Sequence, residues 1–178
     1  MTHVVIFIGP TGSGKSVQAE ALLLIHPDWR HISSGDLLRD DIAATAYIAR
    51  GELVPALEVE RVVATSLKAA TAAPYILLDG FPRTIVQAEW LNDLFETQDM
   101  QVQTVVSFET TIEVVLNRLA ERHRSDDDAA VVARKWKVYT GEVRPVCTYY
   151  REQGLLRPVN ANLSVGKLTH LIEEILHV

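Results

Sequence analysis

An apolar run from His3 to Ile8 (HVVIFI) delivers the chain directly into Gly9-Pro-Thr-Gly-Ser-Gly14-Lys15-Ser16. This is a complete G-x-x-x-x-G-K-[ST] loop, which works with a buried strand in front of it and a helix behind it. Its glycines let successive backbone N–H groups turn toward one point, and the positive end of the following helix aims at the same point. The cradle suits a triphosphate. Lys15 is spaced to reach the β- and γ-phosphates, and the Ser16 hydroxyl to bind Mg²⁺. The loop specifies a nucleoside triphosphate without specifying a reaction.

The rest of the chain agrees with that setting. Arg30 to Ser33, Tyr75 to Asp79, Val102 to Phe108 and Leu156 to Asn160 read as four further strands. HVVIFI, YILLD and VQTVVSF are continuously apolar rather than alternating, as in a parallel sheet covered on both faces. Ile112, Val115, Leu116 and Leu119 repeat at helical spacing, with Thr110 and Glu113 placed as a capping box. Leu168, Leu171, Ile172 and Ile175 repeat the pattern behind Ser164 as a cap. The alternation predicts an α/β fold of the P-loop NTPase kind: three layers, a five-stranded parallel sheet, helices on both faces. Ligands then sit at the carboxyl ends of the strands. Two stretches break the rhythm. Gly35 to Ala73 is helical twice over, punctuated by Gly51 and Pro55, and Arg118 to Asp128 (RLAERHRSDDD) is densely charged. One domain with two outgrowths is expected.

Composition bounds the function. At 178 residues, 48% hydrophobic and 22% charged, a single domain can bury roughly 70% of its unfolded surface without a disulfide or metal staple. Disorder, collagen and coiled coil are excluded. The one cysteine, Cys147, permits no internal disulfide and no Cys-cluster zinc site, which favours a reducing, cytoplasmic setting. A net charge of -6 argues against generic binding to nucleic acid or anionic membrane. No apolar run approaches the ~18 residues of a membrane span, and a strand beginning by His3 leaves no room for a secretory signal. The six histidines show no metal-ligand spacing, and Cys147, Trp90 and Trp136 read as packing residues.

Three more segments carry chemistry. Asp79-Gly-Phe-Pro-Arg-Thr84 ends a strand with an acid able to hold Mg²⁺ through its water shell, followed by a glycine and a planar cationic fork. Ser33-Ser-Gly-Asp-Leu-Leu-Arg39 closes a strand and opens a helix, a pattern that ordinary N-cap chemistry explains equally well. Arg118, Arg122 and Arg124, with Arg134 and Lys135 one helix on, form a cationic set; a solvated face looks similar. Asp126 to Asp128 suit a helix N-terminus. With Lys15, Arg39 and Arg83, these motifs take eight of the 17 basic residues of an acidic protein. Clustering of that kind builds a polyphosphate site.

In sequence, GPTGSGKSVQ, HISSGDLLR, GELVP, LLDGFPRTIVQ and the order R-x-x-x-R … DD … Y-x-x-x-x-x-P-x-x-x-Y-Y span nearly the whole chain. Together they resemble the adenylate kinase family of nucleoside monophosphate kinases. The resemblance implies one domain, 1–178, with a monophosphate-binding excursion at 34–62 and a vestigial lid at 122–126. It implies reversible, Mg²⁺-dependent transfer of the ATP γ-phosphoryl group to AMP, giving two ADP, by a monomer whose partners are nucleotides. Gly12, Ser13, Gly14, Lys15, Ser16 and Val17 would cradle ATP, with Arg118 against its adenine and backbone near Leu163 at the adenine edge. Ser34, Arg39, the backbone of Glu52, Leu53 and Val54, Gly80, Arg83 and Gln87 would bind the monophosphate. Arg122 and Arg124 would clamp the moving phosphoryl group, joined by Arg134 or Lys135, and Ser16 and Asp79 would hold Mg²⁺. Gln87 in place of asparagine, and Ser34 in place of alanine, point to AMP over CMP and UMP.

Departures from the family pattern define the alternatives. Ser16-Val17 stands where most members have Gly-Thr, and Lys135 stands at the second lid arginine, with Arg134 one position earlier. Only His123 separates Arg122 from Arg124, and only the 13 residues 40–52 lie between Arg39 and Leu53. A kinase for CMP, UMP or a small non-nucleotide acceptor is the alternative enzyme. An ATP-binding module without turnover is the alternative class, favoured by the short lid and Lys135. Catalysis needs no general base, because a monophosphate with a second pKa of about 6 is already a dianion near neutrality. Positioning and cations must then do the chemistry.

Overall fold

The computed structural model describes residues 1–122 and 128–178, with backbone only at 42, 43 and 122. Five strands form one parallel sheet: β1 (Thr2–Ile8), β2 (Arg30–Ser33), β3 (Tyr75–Asp79), β4 (Met100–Glu109) and β5 (Leu156–Asn160), in the order β2-β3-β1-β4-β5. The expected α/β sheet is therefore present, with strand ends within two residues of the sequence reading. Along β1 the side chains divide by alternation. Val4, Ile6 and Ile8 enter one hydrophobic cluster, while Val5 and Phe7 enter the other. Both sets are essentially inaccessible to water, which is why the run is apolar without a break.

One face is covered by α1 (Lys15–Ile25) and α9 (Val165–Leu176), through Ala19, Leu22, Leu168 and Ile172. The other carries α2 (Ser34–Arg39), α4 (Ala56–Ala69), α5 (Ile85–Glu96) and α8 (Arg144–Glu152), through Leu38, Val63, Leu91 and Tyr150. Beyond these lie α3 (Ile42–Arg50), α6 (Ile112–Arg122) and α7 (Ala129–Val138), the last joined to α8 by a π turn at Tyr139–Val143. After β1 the chain runs to the outer strand β2, whereas after β3 it crosses to β4 on the far side of β1. The carboxyl ends of β1 and β3 thus open a crevice between connections that leave in opposite directions, where open α/β sheets place ligands.

Local details amend the sequence reading. The excursion holds three helices rather than two, because the chain breaks at Asp40-Asp41 between α2 and α3. Thr110 does not cap α6. Its hydroxyl donates to Asn162 Oδ1, while Glu113 bonds to Thr111, and that bond holds the Glu113 carboxyl below its ordinary value. Ser164 occupies the N-cap of α9 but makes no side-chain cap bond. Asp128 does cap α7, accepting from the N–H groups of Ala130 and Val131. Trp90 packs edge-on against Phe81, and Trp136 packs against Val115, Leu119 and Val132. Cys147 is buried, and burial pushes its thiol up from the ordinary value. Among the described residues no helix is long and apolar enough to cross a membrane.

Candidate active site

The phosphate loop turns into α1 at Gly14, whose φ of 96° is left-handed and accessible to glycine at little cost. Lys15 then folds back over the loop. Its Nζ donates to the carbonyls of Gly9 and Pro10 at 3.0 Å each and lies 3.9 Å from Asp79 Oδ1. An ammonium has three donors, so it can exchange a carbonyl for a phosphate oxygen without leaving the loop. Ser16 Oγ donates to Asp79 Oδ2 at 2.7 Å.

Asp79 ends β3 and is 4% exposed. Burial alone would raise its carboxyl pKa, but Lys15, His31 and the Ser16 hydroxyl together outweigh burial and hold it below the ordinary value. It is a buried carboxylate at neutral pH. His31, on β2, brings Nε2 to 3.7 Å from Asp79 Oδ2, too long for a hydrogen bond. The sequence reading assigned no histidine to the site. The register explains the placement: Ser33 pairs with Asp79, and His31, two residues earlier, shares that face. Finding it requires knowing that β2 lies beside β3.

The turn after β3 holds the next group. Ser34 Oγ, buried, donates to the Asp79 carbonyl at 3.2 Å, which pins the start of α2 to the end of β3. Arg83 curls back so that Nε–H donates to the Gly80 carbonyl at 2.7 Å. The Arg83 backbone N–H donates to Gln87 Oε1 at 2.8 Å. Burial pushes the Arg83 guanidinium down from its ordinary value; Asp79 opposes this and Arg39 adds to it. Arg39 is paired to Asp36, yet its charge reaches Arg83. Like charges brought together inside a fold are unfavourable until an anion joins them. On the opposite side, Arg118 bridges two loops, donating to the carbonyls of Ser13 at 3.3 Å and Ala161 at 2.8 Å.

These groups, His31 apart, line one cavity of about 600 Å³, within the usual range for a ligand site. Val17, Arg118 and Leu163, Gly12 to Ser16 with Asp79, and Ser34, Arg39, Gly80, Arg83, Gln87 and Glu52 to Val54 all line it. Lys135 and the apolar Val138, Tyr139 and Val143 close a further wall. Arg134 is not among the lining residues. It is exposed, and its Nε–H donates to the Arg50 carbonyl at 2.6 Å. The Arg122 side chain and Arg124 lie outside the described residues, as does the expected lid at 122–126 apart from the Arg122 backbone.

The donors suit a hydrated magnesium. Mg²⁺ keeps several waters and takes one or two carboxylates plus substrate phosphates. Ser16 and the ionised Asp79 supply a hydroxyl and one carboxylate, and among the described residues no cluster of three or more acidic, histidine or cysteine side chains forms an all-protein cage.

Residues 7–155 match the family model described as Adenylate kinase. The chain is similar to the adenylate kinase of Prochlorococcus marinus (strain MIT 9313), at 38% identity over 182 residues and 98% of each chain. It is 38% identical over 184 residues to that of Parasynechococcus marenigrum (strain WH8102), covering 99% of this chain and 100% of the relative. Adenylate kinase 1 of Nostoc sp. (strain PCC 7120 / SAG 25.82 / UTEX 2576) is 36% identical over 173 residues, covering 93% and 94%.

Proposed function

Since the chain belongs to the adenylate kinase family, we propose that it transfers the γ-phosphoryl group of ATP to AMP, reversibly and by direct in-line displacement, giving two ADP. The observation that supports the reading is one cavity lined by the phosphate loop together with Arg39, Arg83 and Gln87. Two anionic substrates can meet there end to end. ATP lies along Gly12 to Val17, with its adenine between Arg118 and Leu163. AMP takes Ser34, Arg39, Gly80, Arg83, Gln87 and the backbone of Glu52 to Val54. The working unit is one domain, 1–178, with its acceptor excursion at 34–62 and a short lid at 122–126, acting as a cytoplasmic monomer on free nucleotides.

The AMP dianion attacks without a base. Lys15 stays with the β- and γ-phosphates, and Arg83 bridges the two substrates where charge develops. Lys135 joins it from α7, with Arg122 and Arg124 completing the clamp. Magnesium, held by Ser16 and through water by Asp79, would neutralise charge on the β- and γ-oxygens. Gln87 favours the base. Its Oε1 is committed to the Arg83 N–H, so its NH₂ end, a donor, is what reads a base edge. Adenine and cytosine present an acceptor ring nitrogen there, whereas guanine and uracil present an N–H; the choice of AMP over CMP rests on the family pattern at Gln87 and Ser34.

The test is ³¹P NMR of the purified protein with Mg·ATP, alone and with AMP, CMP or UMP. Rapid ADP build-up with AMP alone is expected. Build-up with CMP or UMP instead would overturn the base assignment, and ATP binding without turnover would overturn the activity.

A further inference from the structure

Helix α3 ends in a Schellman motif. Gly51 N–H donates to the Ile48 carbonyl and Glu52 N–H to the Tyr47 carbonyl, with Gly51 at φ 72°. These two bonds satisfy the Tyr47 and Ile48 carbonyls and leave that of Arg50, the last residue of the helix, pointing away at the negative end of the helix dipole. That carbonyl is the one Arg134 takes, at 2.6 Å, from α7 across 84 residues of chain. A second contact lies beside it. A Cβ added to Gly51 would stand 2.9 Å from the Val131 carbonyl and 3.3 Å from Arg134 Cβ, so the turn and α7 are in direct backbone contact.

The two strands of this seam lead into the cavity from opposite sides. Immediately after Gly51 come Glu52, Leu53 and Val54, and immediately after Arg134 comes Lys135; all four line the cavity, whereas Arg134 does not. We infer that Arg134 is a positioning residue: its bond to the Arg50 carbonyl latches α7 to the acceptor excursion, so that the Glu52–Val54 backbone and Lys135 are held in one arrangement around the monophosphate. The inference rests on the acceptor reading above and deepens it. Of the two adjacent cations, Lys135 works on the phosphates and Arg134 on the frame that receives the acceptor. Neither the charge nor the fork of the guanidinium is required, only a donor that reaches the carbonyl.

The test compares wild type with Arg134→Ala and Arg134→Lys; the position is exposed, so both variants keep the fold. Amide hydrogen exchange in nucleotide-free protein reads the latch directly. Exchange at Gly51 and Glu52 should be about fivefold faster in Arg134→Ala, the scale of one net hydrogen bond, and return toward wild type in Arg134→Lys. In steady-state assays the KM for AMP should rise about fivefold in Arg134→Ala, with the change absent from the KM for ATP, and Arg134→Lys should rescue it. Unchanged exchange in Arg134→Ala would overturn the latch. A fall in kcat with the KM for AMP unchanged would also overturn it, since that places Arg134 on the reacting phosphates. Absence of AMP-dependent turnover in wild type would instead overturn the proposed function, leaving the exchange result to decide the latch.

Discussion

Two parts of the cavity wall are built from different materials. Around the phosphate loop, Lys15, Ser16, Asp79 and Arg118 are joined to one another or to backbone carbonyls in the protected interior of the fold. On the excursion proposed to receive the acceptor, the polar links are mostly at the surface. Arg50 pairs with Glu52, Arg61 with Asp41 and Glu58, and Arg39 with Asp36. Exposed pairs of this kind contribute about 0–1 kcal/mol each, whereas a buried carboxylate stripped of its partners costs about 3–5 kcal/mol. One part is fixed by the sheet itself. The other is held by contacts weak enough to be exchanged for a ligand, with the Arg134 seam reaching across to α7.

The contrast can be broken most sharply at Arg83, which curls back onto the Gly80 carbonyl in the turn after β3. Arg83→Ala should lower kcat by about 10²-fold or more, the scale for one preorganised donor at developing charge. Near-normal turnover in a coupled ADP assay would remove it from the reaction. Asp79→Asn should weaken the Mg²⁺ dependence of turnover about tenfold, read from a magnesium titration. The same variant tests the electrostatics. The folded-state pKa of Asp79 lies below its unfolded value of 3.8, so its stabilisation is complete above pH 3.8 and lost as pH falls through the lowered folded value. Denaturation curves of Asp79→Asn should therefore show lower stability near neutrality and a shallower loss below pH 4. At the other extreme, Arg61→Ala should change stability by less than about 0.5 kcal/mol. A larger loss would mean that the excursion is more rigid than its exposed pairs imply.

Much of this plan is legible in the sequence because it is local. Continuous apolar runs mark β1 and β3, and the phosphate loop and DGFPRT declare themselves by spacing along a single stretch of chain. What is not legible depends on docking. His31 reaches Asp79 only because β2 settles beside β3, and no feature of HIS announces a neighbour in YILLD. Arg134 and Lys135 are consecutive, so about 100° of helix rotation separates them; which one faces the cavity is decided by how α7 meets Gly51. Thr110 illustrates a competition among local options, since a serviceable cap residue was drawn off by Asn162 and the helix began one turn-residue later.

Arg118 ties Gly12 and Ser13, more than a hundred residues before it, to Ala161, 43 residues after it. If ATP binds here as proposed, its site is stitched from segments that come together only in the folded chain. Binding therefore draws on the assembled form alone, and by mass action a ligand at 100 times its Kd adds about 2.7 kcal/mol to the stability of that form. Nucleotide bound there would count as part of the stability of the folded chain, by an amount set by its concentration relative to Kd.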